Sequence, residues 1–301
     1  MPFLDLEGLR CHVQRLAPSD GRPPAATAVL VHGLLTDSMA SHYFTIAPTL
    51  AAAGLDVLMY DQRGHGRSGR PPTGYRLESF VDDLALLLDR SAVTRPVHLL
   101  GNSFGGTVAF GLAVRRPAAV ASILAIESEP ASRAWSVKLD GILRRAGTEL
   151  LDEATLAWVA DRRGPHTARL ARSAGRLLAA TSLARDIPAS RLPGEAELRT
   201  IRCPVLAVYG TESDLAEQAA WLDDLLPDCR STFVSGHDHS VLVENPVVVG
   251  ELALDWLREQ GVELRGERAA VPAGARDEPA AVAAGARGDD RTVLAPGRTR
   301  P

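Results

Sequence analysis

The stretch Val97-His98-Leu99-Leu100-Gly101-Asn102-Ser103-Phe104-Gly105-Gly106-Thr107 decides the fold. Its first residues form an apolar β-type run, and the segment from Thr107 to Arg115 has the composition of a helix. A serine on so sharp a strand-to-helix turn must take a strained backbone conformation. Its neighbours two positions away on each side must be small, so that strand and helix can approach. Gly101 and Gly105 meet that demand. The turn then offers Ser103 as an exposed nucleophile beside a helix N-terminus, where unpaired N–H groups stabilise developing negative charge. The competing reading is a glycine-rich turn without chemistry, and the motif alone does not separate the two.

A serine needs a general base, and the base needs an acid to hold its tautomer. Downstream, Cys203-Pro204-Val205-Leu206-Ala207-Val208-Tyr209 reads as a buried strand that runs into Gly210-Thr211-Glu212-Ser213-Asp214. A shorter strand, Ser231 to Val234, leads to Gly236-His237-Asp238-His239-Ser240 and then to a helix starting near Pro246. Upstream, Thr27 to Val31 is a further β-rich run ending in His32-Gly33-Leu34.

With Asp61-Gln62-Arg63-Gly64-His65-Gly66-Arg67-Ser68 added, these motifs resemble the α/β-hydrolase superfamily over about residues 20 to 260. The resemblance implies an α/β fold with a mostly parallel eight-stranded sheet flanked by helices and a helical lid insertion. It also implies a metal-free, cofactor-free serine hydrolase that cleaves a carboxylic ester or thioester through an acyl-enzyme. The oxyanion donors would be the backbone N–H groups of Leu34 and Phe104. Family spacing from the Glu244-Asn245-Pro246 helix start makes His239 the base rather than His237, while His65 takes the structural role usual for that loop. Asp214 is the preferred acid. Glu127, into which the strand Val120 to Ile126 runs directly, is the alternative, because some members carry the acid at the end of that strand. An unpartnered buried carboxylate would cost several kcal/mol, so Glu127 must be solvated, protonated or paired. With Asp214 as the acid, Glu127 and Glu129 would instead sit at the rim of the substrate pocket.

Strand-like runs alternate with helical stretches up to Glu127. They comprise a hairpin of Phe3 to Leu6 and Arg10 to Arg15, a helix near His42 to Ala53, a strand Leu55 to Tyr60 and a helix from Leu77 to Arg90. From Ser128 the pattern turns helical. The expected division is a core of residues 1–127 and 201–262, a lid of 128–200 covering Ser103, and a disordered tail of 263–301. That tail is rich in Ala, Gly, Arg, Pro and Asp and cannot offset its ordering entropy. In the lid, Trp135, Trp158 and Lys138 are candidates to touch substrate, although aromatic residues on a helix face are more often core. Ser38, Met39 and His42 are weaker pocket candidates.

The chain's 301 residues, 46% hydrophobic content and net charge of −4 suit one α/β domain with an insertion and give no reason to expect a nucleic-acid partner. Lys138 is the only lysine among 33 basic residues, a skew read as genome composition. Three widely spaced cysteines, Cys11, Cys203 and Cys229, show neither a disulfide framework nor metal-ligand spacing. With no leader-like or membrane-spanning run, a cytoplasmic protein is expected. The run Asp238 to Glu244 is also similar to chain-release and tailoring hydrolases of bacterial polyketide pathways. That likeness implies secondary metabolism and adds an acyl carrier protein to the small acyl substrate as a partner. Two rivals remain. One is a carbon–carbon hydrolase of the ring-cleavage type, which shares Gly-Asn-Ser-Phe-Gly-Gly; the other is a non-hydrolytic ligand-binding or cyclase-like member of the same fold.

Overall fold

The computed structural model describes residues 2–18, 20–93, 96–266 and 276–277. The strands are β1 (Phe3–Leu6), β2 (Leu9–Leu16), β3 (Thr27–Val31), β4 (Asp56–Tyr60), β5 (Val97–Asn102), β6 (Val120–Ile126), β7 (Val205–Gly210), β8 (Cys229–Val234) and β9 (Arg276–Asp277). They form one sheet in the order β1-β2-β4-β3-β5-β6-β7-β8-β9. Pairings from β4 through β8 are parallel, whereas β1 with β2, β2 with β4, and β8 with β9 are antiparallel. The first eight strands match the expected sheet; β9 extends it by two residues.

Strands buried on both faces read as continuous apolar runs, and successive side chains still go to opposite sides. Val29, Val31, Leu99, Ile123, Ala125 and Ala207 join the core on one side of the sheet. Ala28, Leu30, Leu100, Leu124, Ile126 and Leu206 join the core on the other. This double burial makes the central strand ends rigid supports for the loops that leave them.

The helix expected near His42 to Ala53 is two short ones, α1 (Ala40–Tyr43) and α2 (Ala47–Ala52). Pro48 lies in the first turn of α2, where its missing N–H costs nothing, but it could not sit inside one continuous helix. The helix α3 (Leu77–Arg90) has the expected bounds, and α4 (Phe104–Arg115) begins directly after Ser103. Between β6 and β7 come α5 (Arg133–Glu149), α6 (Glu153–Ala180), α7 (Leu183–Asp186) and α8 (Glu195–Leu198). The long α6 is interrupted at Gly164 (φ 86°, ψ 159°), because the residue before Pro165 is pushed out of helical geometry. The remaining helices are α9 (Ala219–Leu225), α10 (Val241–Glu244) and α11 (Pro246–Glu259).

The expected start of the tail at residue 263 is corrected. Val262 and Leu264 pack against the core, and the Arg265 N–H donates to the Ala53 carbonyl at 2.8 Å. Leu264 supplies apolar area that the composition of the whole tail concealed. β9 needs no such area, since the open edge of β8 offers backbone hydrogen bonds to any sequence. Residues 267–275 and 278–301, on which the rest of that expectation falls, lie outside the described residues.

Candidate active site

Ser103 sits between the end of β5 and the first residue of α4 with φ 52° and ψ −123°, a conformation L-residues avoid. The surroundings hold it there. The Ser103 N–H donates to the Ile126 carbonyl at 2.8 Å, and a Cβ on Gly105 would lie 2.0 Å from the Val31 carbonyl oxygen. Only glycine lets α4 approach the end of β3 so closely.

His239 lies in the loop after β8. Its Nε2 is 2.9 Å from Ser103 Oγ and its Nδ1 is 3.2 Å from Glu127 Oε2. Glu127 directly follows β6 with φ 49° and is fully buried. The charge is not left alone: Oε1 accepts the Gly210 N–H and Oε2 accepts the Ser213 hydroxyl, each at 2.5 Å. Hydrogen bonds of this kind are what allow a carboxylate to sit away from water.

The carboxylate against His239 is therefore Glu127, the alternative, and not Asp214, the preferred acid. Asp214 leaves the loop after β7 on its outer side, with its side chain 59% exposed and its Oδ2 2.9 Å from Lys138 Nζ on α5. Its neighbour Ser213 points inward and is buried. His237 lies apart from Ser103, its Nδ1 3.3 Å from Glu244 and its Nε2 3.3 Å from the Asn245 amide.

The His32-Gly33-Leu34 turn runs from the end of β3 past the elbow. His32 Nε2 accepts the Gln62 backbone N–H at 2.9 Å, so its proton is on Nδ1, which donates to the Gly33 carbonyl at 2.6 Å. In a trans peptide the N–H points opposite to the C=O. The Leu34 N–H therefore faces away from His32, and among the described residues it has no hydrogen-bond acceptor. His65 is structural, as its motif implied: Nδ1 donates to the Arg63 carbonyl at 2.8 Å and Nε2 accepts the Leu35 N–H at 2.9 Å. Burial, helped by His32, pushes its pKa down to about 3. It thus stays neutral and keeps Nε2 free to accept.

A cavity of about 100 Å³ opens beside Ser103, Glu127 and His239. Its apolar walls are Leu34, Phe104, Trp135, Leu139, Ile142 and Leu215. Trp135 is both core and wall, stacked on Phe104 at 6.4 Å between ring centroids. Trp158, Ser38, Met39 and His42 do not line this cavity. Lys138 and Glu129 do, 3.7 Å apart. Burial raises the Glu129 pKa, with Lys138 opposing. Among the described residues, no group of three or more His, Cys, Asp or Glu side chains is arranged to hold a metal ion, and no helix is long and apolar enough to cross a membrane. Sequence reasoning missed Ser213 as the hydroxyl that holds Glu127. The signal available was Ser213 itself, a hydroxyl three residues past the glycine that ends β7.

A family model for the α/β-hydrolase fold matches residues 28–163. A protein of Stutzerimonas stutzeri strain A1501, which carries the provisional name carbamate hydrolase RutD, is 30% identical over 79% of this chain and 94% of its own. The 2-(acetamidomethylene)succinate hydrolase of Mesorhizobium japonicum is 31% identical over 64% of this chain and 74% of its own. Among solved structures, a carboxylesterase of Nitrososphaera gargenis superposes with a TM-score of 0.72 at 19% identity, covering 86% of this chain and 99% of that one. The chain belongs to the α/β-hydrolase family and is, with its relatives, a hydrolase.

Proposed function

We propose that the protein is a serine hydrolase that cleaves a carboxylic ester or thioester of a small apolar acyl group, with Ser103, His239 and Glu127 as its triad. His239 Nε2 takes the Ser103 proton as Oγ attacks the acyl carbonyl. Glu127 keeps the imidazole proton on Nδ1 and stabilises the imidazolium that forms. The carbonyl oxygen becomes an oxyanion between the N–H groups of Leu34 and Phe104, each donor worth about 2.7 to 4 kcal/mol of barrier. His239 then protonates the leaving alcohol or thiol, and the same groups run in reverse with water to release the acid. The helices α5 and α6 serve as the lid.

The observation that supports this reading is the Ser103–His239 contact at 2.9 Å, with the other imidazole nitrogen on a buried carboxylate. The size of the cavity and its apolar walls favour a short acyl group. The test is covalent labelling by a fluorophosphonate together with a series of p-nitrophenyl esters and acyl-thioesters of increasing length. We expect stoichiometric labelling at Ser103, turnover falling beyond short chains, and no turnover by Ser103→Ala. Turnover retained in Ser103→Ala refutes the assignment.

A further inference from the structure

The turn after Gly33 carries a carboxylate whose bonds exceed what a turn needs. Asp37 Oδ1 accepts the Ser38 N–H at 2.8 Å, a local bond common in turns. Its Oδ2 reaches outside the turn, accepting the Gly33 N–H at 2.6 Å and the Asn102 side-chain amide at 3.2 Å. Asn102 is the last residue of β5 and directly precedes Ser103. One oxygen therefore joins the loop that carries Leu34 to the strand end that carries the nucleophile. The two segments touch, since a Cβ on Gly33 would lie 3.3 Å from Ser103 Cβ. Gly33 is thus held at both ends, its N–H by Asp37 and its C=O by His32 Nδ1. Its two neighbouring peptides cannot rotate freely, and the second of them contains the Leu34 N–H.

We propose that Asp37 is a positioning residue that sets the placement of the Leu34 N–H relative to Ser103 Oγ. This inference rests on the serine-hydrolase reading above. A plain turn cap would need only Oδ1, whereas the Oδ2 bonds constrain distances between two separate elements. Misplacing a reacting or stabilising group by about 1 Å can cost about 10²-fold in rate.

The test is Asp37→Asn, which preserves shape. Whichever way the amide faces, its NH₂ confronts either the Ser38 N–H or the Gly33 and Asn102 donors. The probe is an aryl trifluoromethyl ketone. Ser103 Oγ bonds to its carbonyl carbon, the π pair moves onto oxygen as the hemiketal oxyanion, and the Ser103 proton moves to His239; nothing leaves. The hydrolysis-product acid serves as the ground-state ligand. The expected result is a loss of about 10²-fold in ketone affinity and in kcat, with KM and product-acid affinity within about twofold of wild type. An unchanged ketone affinity alongside a lowered melting temperature makes Asp37 a turn cap only and overturns the inference, as does parallel weakening of all four quantities. If Asp37→Asn does not fold, Asn102→Ala decides: ketone affinity should fall and product-acid affinity should hold, and unchanged ketone affinity overturns the proposal. A wild-type enzyme that binds the ketone no better than Ser103→Ala would sink the serine reading as well. Tight wild-type binding that survives in Asp37→Asn sinks this inference alone.

Discussion

Replacing Glu127 by Gln while leaving Asp214 in place tests the site at its most specific point. In wild type, Oε1 of Glu127 takes the Gly210 N–H, and Oε2 takes the Ser213 hydroxyl and faces His239 Nδ1. A glutamine that keeps its oxygen on Gly210 turns its NH₂ toward His239. That selects the tautomer with the proton on Nε2, which cannot accept the Ser103 proton. A flipped glutamine restores the acceptor at His239 but sets NH₂ against the Gly210 N–H at a fully buried position. An unmet buried donor costs about 1–3 kcal/mol, so the productive orientation is depleted by up to about 10²-fold. The missing charge also no longer stabilises the imidazolium, and the corresponding Asp-to-Asn change in a serine protease costs about 10⁴. The expected loss in acylation rate is therefore about 10² to 10⁴.

Asp214→Asn removes only the pair with Lys138, in which the two side chains are 59% and 37% exposed. Pairs of that kind are worth at most about 1 kcal/mol, so the rate should change by less than about fivefold. Single-turnover acylation, measured where His239 is neutral, ranks the two variants. Ser213→Asp introduced into Glu127→Gln puts a carboxylate at the same point from the neighbouring strand, and should recover at least about tenfold of the loss, a fraction of the roughly 10⁴ at stake. A larger loss for Asp214→Asn than for Glu127→Gln refutes the assignment of Glu127.

Gly105→Ala should fail to give soluble folded protein or lower the melting temperature by many degrees, because its Cβ would overlap the Val31 carbonyl; circular dichroism and thermal melts check this. Truncation after Gly266 should leave hydrolase activity intact, whereas truncation after Gly261 should lower the melting temperature by removing Val262, Leu264 and the Arg265 bond to Ala53. Acid should unfold the protein early. Burial depresses the pKa of His42 to about 4, of His65 to about 3 and of His98 to about 4. Since the folded values lie below the unfolded one, the unfolded chain binds more protons, and stability present above pH about 6.5 is lost as pH falls toward the folded values. By pH 5 the loss is about 2 kcal/mol per histidine, which for three is comparable to a domain's net stability. Urea midpoints at pH 7 and 5 read it directly, and a flat profile refutes it.

The parts legible in the sequence were those fixed by local physics. Val97 to Thr107 announced a strand, a crowded turn and a helix because Gly101 and Gly105 serve a steric need confined to a few residues. The buried strands β3 to β7 were legible as unbroken apolar runs. The carboxylate that faces His239 was not, because a carboxylate's partner is decided across strands: Asp214 and Glu127 both follow apolar strands, and only the inward turn of Ser213 separates them. Lys138 was legible only as one of three lid candidates, because its place on the cavity wall depends on how α5 packs over the elbow. The Val262 to Arg265 segment was obscured because composition averaged over the whole tail hid one leucine.

The position of Glu127 follows from what His239 requires. The imidazole Nδ1–H needs an acceptor at one point in space, and that point lies over the ends of two adjacent parallel strands. Ile126 of β6 is in register with Val208 of β7, and the Glu127 N–H continues that ladder onto the Val208 carbonyl at 2.8 Å. Neighbouring strands stand about 4.8 Å apart, so a carboxylate leaving β6 must cross that spacing to reach the place served by the turn after β7. Glutamate, one methylene longer than aspartate, spans it, and its arrival is marked by the bond from the Gly210 N–H at the end of β7. Ser213, on the turn after β7, meets the same carboxylate with its hydroxyl, on Oε2. On this account Glu127→Asp should also fail to reach His239 and should resemble Glu127→Gln in acylation rate, even though it keeps the charge. Wild-type rates in Glu127→Asp would mean that strand spacing does not set the choice of residue.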